Sequence, residues 1–327
     1  VRQRDVVADL SALGMAIGHA SDQAGATGVT VVRGTEGPFR AAAAVLGRAT
    51  GTRELDALSP RHLVDRVDAI VLTGGSAFGL DAAGGVMRWM EERGRGFPVG
   101  VAVVPIVPAA VVFDLAPCGS PTARPTQAMA YEACERARSS EVEEGSVGAG
   151  TGTTVGKAAG PERAMKGGIG LAVETAGALH TGALAVVNAL GDVRDAAGRI
   201  IAGARTDGGG FVDLSRSLVT GTLPPSARFG ATALQNTTLA VVMTNAALSR
   251  EELAQLAAAS SVALGRRITP VGTSYDGDVV FATGPMRGVQ APMLQVEAMA
   301  VAALEAAIER AVRLARGRDG IPGLADG

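Results

Sequence analysis

The sequence from 236 to 244 reads Asn-Thr-Thr-Leu-Ala-Val-Val-Met-Thr. Threonine, valine and leucine in an uninterrupted run are typical of a strand that lies at the centre of a sheet, where both faces are covered. We therefore predict a buried central strand that begins at Thr237.

The chain before this strand has the composition of a linker. Residues 206–235 contain a triple glycine at 208–210, many serines and threonines, and the pair Pro224-Pro225, which leaves no room for a long helix or strand. A linker thus delivers the chain directly to a buried strand.

This junction meets the requirements of an N-terminal nucleophile. Such a nucleophile is a Ser, Thr or Cys at the start of a strand, preceded by a scissile peptide bond in a flexible segment. The Thr237 hydroxyl would attack the carbonyl of Asn236, water would hydrolyse the resulting ester, and the freed α-amine would lie on the nucleophilic residue itself. That amine has a reference pKa of about 7.7–8.0 and can act as a base without histidine. Spacing alone leaves open that Thr237 and Thr238 are ordinary strand residues.

Composition limits the classes of partner. The chain has 327 residues, of which 47% are hydrophobic, so it can bury a sizeable core. Its 30 basic and 32 acidic side chains give a formal charge of −2, which offers no electrostatic footprint for nucleic acid or an anionic membrane. We expect neither as a partner.

The cysteines and the apolar segments indicate a compartment. Cys118 and Cys134 lack the spacing of a zinc site, and we predict two buried thiols. The first residues, from Val1 to Asp5, precede no apolar signal segment, and the longest apolar stretches carry charges such as Glu297. We expect a soluble, cytoplasmic protein.

Patterning predicts strands interleaved with helices. The predicted strands are an opening meander at 12–19, 28–33 and 39–46, a buried strand at 67–73, and a second meander at 167–176, 181–188 and 199–203, followed by 237–244 and 278–283. The predicted helices are 76–94, 125–138, 249–265 and 290–315, and the glycine-rich stretch 145–160 is a loop. Because there is no regular βαβ order, a layered α+β sandwich with antiparallel character fits best.

A serine-hydrolase site has weak support. Ser76 follows Gly74-Gly75 at a predicted strand-to-helix turn, but Phe78 stands where the second glycine of G-x-S-x-G belongs. The histidines of a Ser-His-Asp triad would have to come from a set of three in which none stands out, namely His19, His62 and His180.

Two further motifs also fall short. A phosphate loop ending at Gly156-Lys157 would need glycine where Thr151 stands and Ser or Thr where Ala158 stands. The Asp276-Gly277-Asp278 segment has carboxylates for a cation, but no second acidic cluster is placed to complete six oxygen ligands. We expect no cofactor and no metal.

The whole chain resembles the L-aminopeptidase/D-esterase family, which includes β-aminopeptidases and nylon oligomer hydrolase. The similar blocks, in matching order, are 18–20, 72–80, 107–114, 148–157, 185–189, 236–242 and 276–281. The resemblance implies a four-layer αββα sandwich of the N-terminal nucleophile hydrolase type, formed by one domain over 1–327. It also implies a cut between Asn236 and Thr237 into an α chain, 1–236, and a β chain, 237–327, which stay associated and assemble as homo-oligomers, dimers or tetramers of these pairs.

The resemblance also implies roles for individual residues. Thr237 would be the nucleophile and its new amine the base, while the side-chain amide of Asn188 would donate to the oxyanion. Lys157 would lie beside them and lower the pKa of the amine. Asp276 and Asp278, two residues apart on an extended segment, would point the same way and orient the amine and hydroxyl of Thr237.

Two features of the sequence bear on the substrate, a small peptide or an amide oligomer. D-esterase and β-aminopeptidase members of the family use Ser with a Ser-x-Glu pair, so Thr237 with Asp-x-Asp is closer to the nylon hydrolase type. At the position where that enzyme has a tyrosine near the substrate, this chain has Phe113 and no hydroxyl. The alternative from another functional class is an uncleaved, non-enzymatic ligand-binding or assembly protein on the same fold.

Overall fold

The computed structural model describes residues 8–224, 227 and 236–326. The N-terminal residues up to 7 and most of the predicted linker after Pro224, including Pro225, lie outside the described residues.

The strands, in chain order β1 to β17, are Met15–Asp22, Thr27–Gly34, Arg40–Val45, Thr52–Arg53, Ala69–Thr73, Phe97–Pro98, Val103–Val104, Ala109–Val111, Thr154–Val155, Met165–Lys166, Gly168–Ala176, Leu179–Asn188, Asp192–Arg194, Ile200–Ala202, Thr237–Thr244, Ile268–Thr269 and Val279–Gly284. The α-helices, α1 to α6, are Ala83–Glu91, Gln127–Arg136, Leu214–Thr220, Arg250–Ser260, Val262–Arg267 and Met293–Arg313.

Two five-stranded sheets form the centre of the protein. Sheet I has the strand order β1-β2-β5-β8-β4, and sheet II has the order β11-β12-β15-β17-β3. As predicted, β15 lies at the middle of its sheet, with β12 antiparallel on one side and β17 parallel on the other.

The two sheets pack against each other through one apolar layer. Side chains alternate between the faces of a strand. Leu239 and Val241 of β15 therefore point toward sheet I, where Ile70 and Leu72 of β5 belong to the same buried cluster. This inter-sheet core explains why β15 and β5 are both continuous apolar runs.

Helices cover the outer face of each sheet. Helices α1 and α2 pack on sheet I, burying Trp89 and Met90 against Val29 and Val71. Helices α4 and α6 cover sheet II in a separate buried cluster. The architecture is the predicted αββα sandwich of class α+β.

Two predicted meanders are wrong in their pairing. The strand predicted at 39–46 is β3, which joins sheet II beside β17, because β2 is already flanked by β1 and β5. The strand predicted at 199–203 is β14, which pairs with β13 in a small separate sheet, because β11 and β15 occupy both edges of β12. Closeness in sequence suggested the wrong partners, because it does not show which strand edges are already paired with other strands.

Two predicted helices are interrupted. The segment expected as a helix over 76–94 starts as a 3₁₀ helix, Ser76–Ala82, after Gly75 in a left-handed conformation. The helix expected over 249–265 has the predicted Ser249–Glu252 capping box but divides after Ser260. There the hydroxyl groups of Ser260 and Ser261 donate to main-chain carbonyl groups of the preceding turn, a contact that bends helices.

Two further features concern the cysteines and the length of the apolar helices. Cys118 and Cys134 are buried free thiols, as predicted. No helix in the described part of the chain is long and apolar enough to cross a membrane.

Helix α6 lies directly against the backbone of β11, and this contact yields a stability prediction. A Cβ atom at Gly170 would lie 2.1 Å from the carbonyl oxygen of Ala307, so Gly170→Ala must push the helix away from the sheet. We expect a loss of about 1–3 kcal/mol in the free energy of unfolding, measured by urea denaturation. Gly265→Ala, in α5, is the control and should not destabilise the protein, because the new methyl group would meet no described atom within 4 Å beyond its chain neighbours and its own helix backbone. Equal stability of the two variants would contradict the close contact.

Candidate active site

Thr237 lies where three strands of sheet II end together. It is the first residue of β15 and pairs with Asn188, the last residue of β12. On the other side Asn236 forms a parallel bridge to Asp276, just before β17. Strand pairing therefore brings residues that are distant in sequence around a single peptide bond, and all four of these residues are buried.

The carbonyl group of Asn236 accepts hydrogen bonds from two sides. The Thr237 hydroxyl donates to its oxygen at 2.6 Å, and the main-chain N–H of Gly277 donates to the same oxygen at 2.9 Å. The hydroxyl group thus lies against the carbonyl group that an N-to-O acyl shift would attack.

Lys157 reaches this site from the glycine-rich loop. Its ammonium group donates to the side-chain oxygen of Asn188 at 2.9 Å, and also to the main-chain oxygens of Thr154 and Asn188. Burial lowers the pKa of Lys157 to about 7, and the nearby charge of Asp276 offsets part of that effect. Gly156, with φ 71°, allows the turn into Lys157, because a Cβ atom there would lie 2.1 Å from the amide nitrogen of Ala204.

The side chain of Asn188 is fixed by hydrogen bonds at both ends. Its Oδ1 accepts from the N–H of Thr154 at 3.0 Å as well as from Lys157. Its Nδ2 donates to the main-chain oxygen of Phe113 at 3.0 Å. Asn188 thus pairs with Thr237 in the sheet and contacts Lys157, and its amide donates to the Phe113 carbonyl; donation to an oxyanion stays a prediction.

Asp276 and Asp278 lie in the site, and each accepts a hydrogen bond from the main-chain amide of another residue. Asp278 Oδ1 accepts from the N–H of Thr238 at 2.6 Å, and Asp276 Oδ2 accepts from the N–H of Thr273 at 2.7 Å. Burial, followed by the charge of Asp276, raises the pKa of Asp278 to about 7. Burial also raises the pKa of Asp276. In the uncut chain these carboxyl groups therefore hold main-chain amides, and their predicted action on the amine and hydroxyl of Thr237 stays a prediction.

The sequence analysis missed Lys166 and Gly277. Lys166 is buried, and its ammonium group donates to the main-chain oxygens of Thr151 and Thr153, so both lysines of the chain hold the glycine-rich loop. Gly277 contributes a main-chain donor, which has no side-chain signature. The signal available in the sequence was a glycine within an extended segment, which often marks a close backbone approach.

The segment around α3 packs beside the site. Leu214, in α3, belongs to a small buried cluster with Ala158, against which Leu223 and Tyr275 pack. Ala158 and Tyr275 are the direct neighbours of Lys157 and Asp276. Asp192 fixes this segment, because its carboxylate accepts from the N–H groups of Ala204 and Leu214.

The competing Ser76 does not meet a histidine. Ser76 follows Gly75 at the predicted turn, and the N–H of Gly75 donates to the buried carboxylate of Asp114 at 2.6 Å. Within the described residues, the three histidine rings hydrogen-bond to Thr30, Val64 and Thr175 instead. The geometry offers no Ser-His pair there.

Comparison with known proteins relates both the sequence and the fold to hydrolases. The model of peptidase family S58 matches residues 6–323. A protein of Mycobacterium tuberculosis (strain H37Rv), named as an uncharacterised aminopeptidase, is 41% identical over 269 residues, which cover 79% of this chain and 73% of the relative. A 6-aminohexanoate-oligomer endohydrolase of Kocuria sp. (strain KY2) is 32% identical over 274 residues, which cover 82% of this chain and 72% of the relative.

Solved structures share the fold at low sequence identity. A β-aminopeptidase of Burkholderia sp. superposes with a TM-score of 0.70 at 20% identity, covering 98% of this chain and 92% of that one. The L-aminopeptidase D-Ala-esterase/amidase of Ochrobactrum anthropi gives 0.69 at 19% identity, covering 97% and 90%. The latter is described as a variant of the N-terminal nucleophile (Ntn) hydrolase fold. The predicted fold type is therefore confirmed.

The lowered pKa of Lys157 has a measurable effect on stability. Between its folded pKa of about 7 and the ordinary value of 10.5, the unfolded chain binds a proton that the folded chain lacks. The free energy of unfolding therefore rises with pH across this window. In a Thr237→Ala background, which keeps the chain uncut, Lys157→Met should make the rise between pH 7 and pH 9 smaller, measured by urea denaturation at both values. An unchanged rise would show that Lys157 stays protonated in the folded protein.

Proposed function

The chain belongs to peptidase family S58, and we propose that it is a self-cleaving hydrolase of peptide amide bonds with Thr237 as its nucleophile. The observation that carries the proposal is the 2.6 Å hydrogen bond from the Thr237 hydroxyl to the carbonyl oxygen of Asn236. The proposed site also contains Lys157, Asn188, Asp276 and Asp278. These are the groups that both steps of an acyl transfer would use.

The first step makes the active enzyme. Thr237 attacks the carbonyl carbon of Asn236, the amide becomes an ester, and water releases a chain of residues 1–236 and a chain that starts at Thr237. The buried position of Thr237 in the uncut chain supports this order, because substrate gains access only when the end of the first chain moves away.

The second step repeats the chemistry on a substrate. The free amine of Thr237 takes the proton from the Thr237 hydroxyl group. The hydroxyl oxygen then attacks the substrate carbonyl carbon and forms an acyl-enzyme, which water hydrolyses. Asn188 donates its amide to the oxyanion once its contact with the Phe113 carbonyl is exchanged for substrate. The protonated form of Lys157, which predominates below its pKa of about 7, lowers the pKa of the amine and so favours the unprotonated amine.

Peptides are the substrate class we favour over nylon oligomers. The chain is 41% identical to the mycobacterial protein named as an aminopeptidase and 32% identical to the 6-aminohexanoate-oligomer endohydrolase. Phe113 in place of a tyrosine also argues against a hydroxyl contact to an oligomer.

Two finer features are part of the proposal. The two buried free thiols fit a reducing compartment, so we propose that the protein acts in the cytoplasm. We further propose that the cut pairs assemble as homodimers or tetramers.

Self-cleavage gives the direct test. Mass spectrometry of the denatured wild-type protein should show a fragment that starts at Thr237, and Thr237→Ala should leave a folded, inactive, uncut chain. The neighbouring Thr238→Val is the matched control, because the buried Thr238 hydroxyl has no hydrogen-bond partner among the residues that the structure describes, and valine has the same shape. It should cleave and turn over like the wild type. An uncut wild type that hydrolyses amides would refute the proposal.

A substrate panel tests the preference. Cleaved protein should release the N-terminal residue from short α-peptides and lose this activity when their amine is acetylated. Linear 6-aminohexanoate oligomers should be cut at least about tenfold more slowly, a difference of about 1.4 kcal/mol in transition-state binding. Faster cleavage of the oligomers, measured as kcat/KM, would reverse the assignment.

A further inference from the structure

We propose that the main-chain N–H of Gly277 is the oxyanion donor of the self-cleavage step, separate from Asn188, which serves substrates. The inference rests on the proposed function, because it concerns the step that exposes Thr237. It assigns a catalytic group to a residue that has no side chain.

The N–H of Gly277 already contacts the reacting group. It donates to the carbonyl oxygen of Asn236 at 2.9 Å, within the range of an oxyanion-hole contact. The bond is part of the parallel bridge between Asn236 and Asp276, so the strand ends β15 and β17 fix its geometry before any reaction starts. A donor held in this way needs no reorganisation when charge develops on the oxygen.

The backbone around Gly277 leaves no room for a side chain. A Cβ atom would lie 2.6 Å from the carbonyl oxygen of Ala49 and 2.8 Å from the Thr237 hydroxyl oxygen. Glycine therefore lets the main chain of this segment lie against both the nucleophile and the carbonyl it attacks. The flanking residues hold the position, since the carboxylates of Asp276 and Asp278 accept from Thr273 and Thr238.

Asn188 is committed elsewhere at this stage. Its Nδ2 donates to the Phe113 carbonyl, and its Oδ1 accepts from Lys157 and Thr154. The Asn188 amide is placed on the Phe113 carbonyl, whereas the N–H of Gly277 already donates to the Asn236 oxygen.

The step balances without any further reactant. The Thr237 oxygen forms a bond to the carbonyl carbon of Asn236, and the π electrons of the carbonyl move to its oxygen, where the N–H of Gly277 stabilises the charge. The intermediate then expels the nitrogen of Thr237, which receives the proton that the hydroxyl loses. Water afterwards hydrolyses the ester to the Asn236 carboxylate and the free Thr237 hydroxyl.

The test replaces one N–H by oxygen. Cell-free synthesis of the full chain with glycolic acid at position 277 turns the amide into an ester and removes the donor without adding bulk. We expect self-cleavage to slow by about 10²–10³-fold, the usual cost of one oxyanion donor. The matched control is glycolic acid at position 145, because the N–H of Gly145 donates to the Ile169 oxygen at 2.7 Å in a similar isolated bridge. It should cleave at the wild-type rate.

A hydroxylamine readout separates catalysis from a structural effect. Hydroxylamine attacks esters, including the one introduced before position 277, so the reaction is scored only by the fragment that ends at Asn236, which mass distinguishes from a cut after Asp276. Hydroxylamine should not increase the amount of this fragment in the position-277 variant, because the defect precedes formation of the Thr237 ester. An increase to the level of the position-145 control would overturn the assignment.

The failures are distinguishable. If the wild-type protein stays uncut, both the proposed function and this inference are wrong. If the wild-type protein and the position-277 variant are cut at the same rate, only the role of Gly277 is wrong. Should the variant not fold, the crystal structure of the Thr237→Ala precursor decides. A distance above about 3.5 Å between the Gly277 nitrogen and the Asn236 oxygen would then overturn the inference.

Discussion

The parallel pairing of β15 with β17 is the constraint on which the site depends. The same parallel pairing extends past the ends of the two strands, where it sets Asn236 beside Asp276. It thereby brings the N–H of Gly277 to the carbonyl group of Asn236. On the opposite edge the antiparallel pairing with β12 brings Asn188 beside Thr237. A one-residue slip in either ladder would turn these side chains to the other face.

Burial gives the polar groups of the site their properties. Charged groups are costly to bury, because the protein interior solvates them poorly. Burial therefore lowers the pKa of Lys157 to about 7 and raises the pKa of Asp278 to about 7. Groups that titrate near neutral pH can exchange protons with little cost, which suits a reaction that moves one proton from a hydroxyl to an amine. The same burial explains the dense set of hydrogen bonds around Lys157 and Asn188, since a buried polar group without partners would destabilise the fold.

The family and most of the elements could be predicted because they are local patterns. The resemblance carried by the glycine-rich loop, the Asn236–Thr237 junction and the Asp-Gly-Asp segment is confirmed by the match to peptidase family S58. Strand β15 followed from an uninterrupted run of β-type residues, the capping box from the spacing of Ser249 and Glu252, and the long last helix from residue periodicity. The positions of β3 and β14 could not be predicted, because they depend on which strand edges other parts of the chain already occupy.

The sequence by itself determined the nature of the candidate site: a threonine that opens a buried strand after a linker, with Lys157, Asn188, Asp276 and Asp278 as partners by resemblance. Only the tertiary structure decided what each of them touches. It directed Asn188 at Phe113 and set Asp278 on the amide of Thr238. It also placed Lys166 on the glycine-rich loop and brought the N–H of Gly277 to the Asn236 carbonyl. The physical reason is that hydrogen bonds to main-chain atoms depend on where the backbone passes, and a sequence of side chains records this only indirectly.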